Sequence, residues 1–168
     1  MRAVGGIDPA LKLVWTLVDE EQGRHELRSG NDLVATLTRE PAFRGGAVGE
    51  TVEGKLHFRK RGFLFPGAVV LNGEREVASL QSNWKGGGSL SIRTGRTFSL
   101  AYSNLLTTRC SFLDGGDQPL VRCEAVVYPA GAFPLLRTSG EMTWRADAPS
   151  MSDLPLLLLL GWYRVIAW

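Results

Sequence analysis

The sequence predicts an all-β chain closed into an antiparallel barrel, with one hydrophobic α-helix at the C-terminal end running through its middle. Three observations predict it. Residues 11–128 fall into short runs with apolar side chains at alternate positions and turn-forming residues between them, the pattern of half-buried antiparallel strands. No stretch before residue 150 has the apolar spacing of an amphipathic helix. The chain then ends on DLPLLLLLGWYRVIAW (153–168), whose apolar residues cover every face of a helical wheel. A helix with no polar face must be enclosed. An open sandwich would cover one side of it, whereas a closed barrel surrounds it and also removes the sheet edges.

The elements follow in order. MRAVGGIDPA (1–10) reads as an N-terminal extension, and its lack of a signal-peptide-length apolar run argues against export. LKLVWTLVD (11–19) is the first strand and breaks at EEQG, so that VWTLVDEEQGRHELR (14–28) has the form of a hairpin. DLVATLTRE (32–40) follows a Ser-Gly-Asn turn. VEGKLHFRKRG (52–62) leads into FLFPGAVVLNG (63–73), where Pro66 predicts an edge, bend or bulge. Asn72-Gly73 suits a primed hairpin turn, which needs positive φ angles, before REVASLQSN (75–83). After WKGGG, SLSIRT (89–94) and TFSLAYS (97–103) join at Gly95-Arg96 and show the period of two most plainly. RCSFLDGGDQPLVRCEAVVY (109–128) is a further hairpin. A four-residue loop DGGD (114–117) would set Cys110 opposite Cys123, whereas a one-residue slip would not. The similar rhythm of 69–80 and 110–122 is what any pair of hairpins produces, so no internal repeat is inferred.

Composition bounds the rest. With 168 residues, 21% of them charged and 44% hydrophobic, the chain is one domain over residues 1–168 with enough material for a real core, which excludes a disordered chain. Twenty glycines favour many tight turns. A net charge of +2 gives no reason to expect nucleic acid. Two cysteines make no disulfide framework, so reduced, half-buried thiols in a cytoplasmic protein are expected.

The terminal segment decides between core and anchor. Ser152 or Asp153 can cap a helix start, and Pro155 is tolerated in a first turn. The sixteen residues 153–168, at ~1.5 Å each, span roughly 24 Å, short of the ~30 Å hydrocarbon core of a bilayer. Arg164 lies inside that span and no Lys/Arg cluster flanks it. Enclosure by protein is therefore the expectation, with Arg164 reaching water at the mouth of the enclosure.

The order VWTLVDEEQG, KLHFRKRGFLFPGAVVLNGEREVASL, GRTFSLAYS and DLPLLLLLGWYRVIAW resembles bacterial members of the tubby-like barrel superfamily. That group includes the tubby carboxy-terminal domain, phospholipid scramblases and the plant LURP-one-related proteins. The resemblance covers about residues 10–168 and is one of pattern, strongest at Leu159-Leu160-Gly161-Trp162-Tyr163. It implies a roughly twelve-stranded closed barrel around a hydrophobic helix, here 153–168. It also implies binding of phosphoinositide head groups by basic residues on the barrel exterior, although no tubby lipid-binding position maps onto this chain. DGGDQ (114–118) lacks the ligands and spacing of a calcium loop.

The basic run Arg59-Lys60-Arg61, with Arg44 of FRGG, is the best candidate anion or phosphate patch, since Arg is a bidentate donor. On a strand, Arg59 and Arg61 would share a face and Lys60 would point the other way. A solvated, aggregation-blocking edge is the plainer reading of the same residues. Asn83–Ser89 (NWKGGGS) lacks the ending and the following helix of a phosphate loop, which makes it a flexible hairpin connection with Trp84 packed nearby. His25 and His57 lack metal-ligand partners, GxSxG is absent, and Asp19, Glu20, Glu21, Asp114 and Asp117 fall at turns. No catalytic residue, metal or other cofactor is expected. The leading reading is a non-enzymatic binding or interaction module for anionic lipid head groups or a protein partner. Behind it stand a membrane protein anchored through 153–168, then an enzyme with an unrecognised surface site.

Overall fold

Twelve antiparallel strands close into a barrel in the computed structural model of the chain, which describes residues 1–4, 7–8, 11–40, 46–62, 67–84, 87–102, 109–115, 117–128, 136–148 and 151–167. The strands are β1 (Leu13–Asp19), β2 (Arg24–Ser29), β3 (Asp32–Arg39), β4 (Ala47–Thr51), β5 (Gly54–Arg61) and β6 (Gly67–Asn72). They continue as β7 (Arg75–Ser82), β8 (Gly88–Ile92), β9 (Thr97–Tyr102), β10 (Arg109–Leu113), β11 (Pro119–Tyr128) and β12 (Leu136–Trp144). Neighbours in the sheet follow chain order, and β12 closes the ring on β1 with Leu13 opposite Met142 and Trp15 opposite Gly140. Closure leaves no unpaired edge.

The hairpins sit where the turn chemistry put them. Gly73 (φ +61°) and Gly95 (φ +92°) occupy the left-handed backbone that the β6–β7 and β8–β9 turns require. Cys110 and Cys123 are direct cross-strand partners, unbridged and fully buried rather than half-buried. Burial pushes the Cys123 thiol well up from its ordinary pKa. Of the 63–73 run, only Gly67 onwards is strand among the described residues, and Pro66 lies outside them.

The helix α1 (Leu154–Ala167) fills the barrel. Leu156 through Leu160, Trp162, Tyr163 and Val165 are all buried against inward side chains of the sheet. Trp162 stacks on Trp15 at 5.7 Å and 4° between planes, and His25 meets its edge at 5.5 Å. Phe58 packs on Tyr163 at 5.2 Å. Asp153 is the cap: its carbonyl accepts from the Leu157 amide at 3.0 Å, and its carboxylate accepts from Arg96 Nη1 at 2.8 Å. At the far end Arg39 donates to the Ile166 carbonyl, satisfying a helix C-terminal acceptor. Trp168 lies outside the described residues. Val4 and Ile7, ahead of the first strand, join the buried core.

Two strands, β4 and β12, carry a glycine at an inward position, and the helix explains why. Gly49 and Gly140 stand at positions that would otherwise aim a side chain inward. A Cβ at Gly49 would lie 2.9 Å from Leu159, and one at Gly140 would lie 2.7 Å from the Glu124 carbonyl and run into the Trp162 ring. Arg164 also departs from expectation. It is 4% exposed rather than solvated at the mouth, donates through Nε to the Tyr102 hydroxyl, and lies 5.2 Å from the Tyr102 ring centroid. A cation so placed is held by its partners instead of by water.

Candidate functional site

Up-and-down topology sorts the loops onto two ends of the barrel. The β2–β3, β4–β5, β6–β7, β8–β9 and β10–β11 turns surround the start of α1, here the entry end. The β1–β2 and β7–β8 turns, the far end of β5 and the last turn of α1 form the exit end. With the axis occupied by side chains of α1, binding chemistry belongs to these two ends and to the outer wall.

The basic run lies at the exit end, in the last residues of β5. Arg59 pairs across the sheet with Val69, Lys60 with Ala68 and Arg61 with Gly67. Phe58 faces inward, so alternation sends Arg59 and Arg61 outward and aims Lys60 at the mouth, where the barrel has ended and the side chain is exposed. All three are exposed, and Arg59 and Arg61 have no ion pair among the described residues. Arg44 lies outside the described residues, so the structure does not bring it to the patch.

Sequence reasoning missed a neighbour of this patch. Trp84 is 77% exposed in the β7–β8 connection, not packed against it. The connection is a hairpin loop closed by Asn83, whose amide donates to the Gly87 carbonyl at 2.9 Å and whose Oδ1 accepts from the Gly87 amide at 3.0 Å. Since β7 follows β6 and β6 pairs β5, Trp84 projects from the same end and the same side of the barrel as Arg59–Arg61. Across the mouth, the β1–β2 turn carries Asp19, Glu20 and Glu21, whereas Glu40 sits beside β5, 3.8 Å from His57. The exit end is therefore basic over β5 and acidic over β1–β2. A flat tryptophan at a glycine-rich loop after a strand was the available signal, and the absence of apolar neighbours in NWKGGG was the reason to expect exposure.

The entry end differs. Here the β4–β5, β6–β7 and β8–β9 tips rise around the first turn of α1 and line a half-open cavity of about 680 Å³. Lys55, Arg75 and Arg93 contribute cations, Glu53 and Asp153 carboxylates, and Leu56, Val77, Ile92 and Leu156 an apolar floor. Lys55 is paired with Glu50 at 2.7 Å, and Asp153 with Arg96 at 2.8 Å. On the same end, Arg145 clamps Asp114 at 2.5 Å and Asp147 at 2.6 Å, which holds the Asp147 carboxyl below its usual range.

Two tyrosines near the exit end have strongly perturbed hydroxyls. Burial pushes Tyr102 up to about 12 against the opposing pull of the Arg164 guanidinium, and burial likewise pushes Tyr163 up to about 12. Both therefore stay protonated at neutral pH. Neither presents a nucleophile or base to solvent. Among the described residues no three His, Cys, Asp or Glu side chains gather as a metal ion needs, and no helix is long and apolar enough to cross a membrane. No family model, curated protein or solved structure matches the chain.

Proposed function

We propose that the protein is a non-enzymatic binding module that docks on an anionic, phosphorylated lipid surface through the exit end of its barrel. The observation that carries this reading is the placement of exposed Trp84 beside the exposed cations Arg59, Lys60 and Arg61. An indole favours the head-group level of a bilayer, where its ring is buried and its N–H remains hydrated. Basic residues near an anionic leaflet contribute about 1 kcal/mol each, and a tryptophan among them adds an apolar term that salt does not screen. The acidic β1–β2 turn across the mouth would be repelled, so contact is one-sided, along β5 to β7. Insertion of 153–168 into lipid would instead require the barrel to open and expose its whole lining, and no observation favours it.

Flotation with phosphatidylcholine vesicles, with and without phosphatidylserine or a phosphoinositide, tests the reading. Binding is expected only with the anionic lipids, weakening as salt rises. Replacing both Arg59 and Arg61 by Ala is expected to lower the partition coefficient by about tenfold or more, from two charges at about 1 kcal/mol each. Failure of the wild-type chain to bind vesicles of any composition would overturn the lipid reading and turn attention to a protein partner.

A further inference from the structure

We propose that the cavity at the entry end is a second binding site, for a small organic anion whose phosphate or carboxylate group is held by Arg75 and Arg93. This site lies at the opposite end of the barrel from Arg59–Arg61 and does not depend on the lipid reading.

Charge accounting singles out the two arginines. Around the cavity, Lys55 answers Glu50 and Arg96 answers Asp153. Arg75 and Arg93 have no ion pair or hydrogen-bonded side-chain partner among the described residues, and both line the cavity. Glu53, on the third tip, is the one carboxylate of the lining left opposing them, with Glu74 and Glu76 flanking Arg75 outside the lining. The cavity thus keeps a surplus of positive charge in planar, five-donor groups, the chemistry that recognises carboxylate and phosphate oxygens.

The sheet is shaped to put them there. Between Val70 and Leu71 the β6–β7 register shifts: Val70 faces Ala78, but Leu71 already faces Glu76 and Asn72 faces Arg75. Ala78 and Leu80 point inward, so strict alternation would send Arg75 to the outer wall. The extra residue of the bulge reverses the alternation, and Val77 and Arg75 both line the cavity. Arg93 comes from the next hairpin, where its amide donates to the Val77 carbonyl at 2.9 Å. Two separate tips therefore bring an arginine to one space, and the tight β6–β7 and β8–β9 turns with Gly73 and Gly95 set the backbone from which each side chain leaves.

The floor specifies the rest of the ligand. Val77, Ile92 and Leu156 are apolar, and Thr51, Asn72, Thr94 and Ser152 add neutral hydrogen-bonding groups. At about 680 Å³ the space suits an organic anion with a ring or short chain rather than a bare ion. The first turn of the buried helix forms part of the wall, so the site is built before any ligand arrives.

Titration of the full chain with phenyl phosphate, inorganic phosphate and benzoate, followed by amide chemical shifts, tests the proposal. The expected result is saturable shifts at Asn72–Arg75, Arg93–Arg96 and Ser152, with phenyl phosphate tighter than inorganic phosphate. Stronger benzoate than phenyl phosphate binding would assign the carboxylate as the preferred group. The Arg75→Ala/Arg93→Ala variant, which alters only exposed side chains, is expected to weaken phenyl phosphate by about tenfold or more, since hydrogen bonds to charged groups are the strong ones. Arg59→Ala/Arg61→Ala is expected to leave phenyl phosphate affinity unchanged while losing vesicle binding. Absence of saturable shifts, unchanged affinity in the Arg75/Arg93 variant, or loss in the Arg59/Arg61 variant would each overturn the proposal.

Discussion

At mid-height the helix presses on bare sheet backbone, with Trp162 against Gly140 and Leu159 against Gly49, whereas at the two ends of the barrel arginines and a tryptophan stand in solvent. The middle leaves no room for an extra methyl group on either glycine. The ends are bounded by hairpin tips whose contacts are mostly exposed polar ones, such as Lys55 with Glu50. A closed barrel plugged by its own helix thus separates the residues that set stability from those free to recognise a partner, and substitutions at the two levels should differ several-fold in cost.

The largest effect tests the middle directly. Leu158 is 1% exposed within the apolar core, and Leu158→Asp places a carboxylate there. An unpaired buried charge costs several kcal/mol or more, about the whole stability of a domain at ~5–15 kcal/mol. The variant is expected in the insoluble fraction, with no cooperative unfolding transition. Wild-type-like thermal unfolding would mean that the helix is not the core.

Next comes one substitution made at both levels. Gly140→Ala sets a methyl group 2.7 Å from the Glu124 carbonyl and against the Trp162 ring, and should cost about 3 kcal/mol by overpacking. Gly73→Ala meets no atom within 4 Å and pays only for its left-handed backbone, about 1 kcal/mol. Urea denaturation of the pair gives the ratio. Equal costs would erase the distinction between middle and tip.

Alkaline pH probes the boundary between the two levels. In the unfolded chain a tyrosine ionises near pH 10, whereas burial holds Tyr163 and Tyr102 up to about 12. Below about pH 10 both states are protonated and the tyrosines' stability contribution is fully present. As pH rises from about 10 to about 12 the unfolded chain loses protons first, so stability falls, by about 2 kcal/mol for Tyr163 alone. Tyr163→Phe should flatten that fall relative to wild type in urea titrations across the window. An unchanged slope would place the hydroxyl in water.

How far the sequence revealed this division follows the physics of each level. Strands such as Ser89–Ile92 and Thr97–Leu100 alternate because one face is buried, and the helix betrayed itself by having no polar face. The closed barrel could be read from that combination. β4 and β12 were harder to read, because Gly49 and Gly140 each remove an inward side chain opposite Leu159 and Trp162. Arg164 misled for a related reason: a lone charge in an apolar run suggests a route to water, but its partner Tyr102 lies 62 residues away in sequence. Of the candidate patch, the strand and outward face of Arg59 and Arg61 were legible. The entry cavity was not, since Arg75 joins it only through a one-residue register shift and Arg93 belongs to a different hairpin.

The smallest stability effect is also the sharpest check on the separation of levels. Among the described residues Trp84 is the bulkiest exposed apolar side chain, and at 77% exposure most of it is in water in the free protein. Trp84→Ser should therefore change the unfolding free energy by no more than about 0.5 kcal/mol, as surface substitutions away from packing usually do. On anionic vesicles the same change should weaken partition several-fold at high salt, where the contribution of Arg59 and Arg61 is screened and the indole carries most of the attraction. Measured across a salt series, the two terms separate: the arginine variant loses the steep part of the curve and the tryptophan variant loses its plateau. If Trp84→Ser instead destabilises the fold while leaving vesicle partition intact, the loop belongs to the packed structure, and the exit end loses the feature that distinguishes it from an ordinary charged rim.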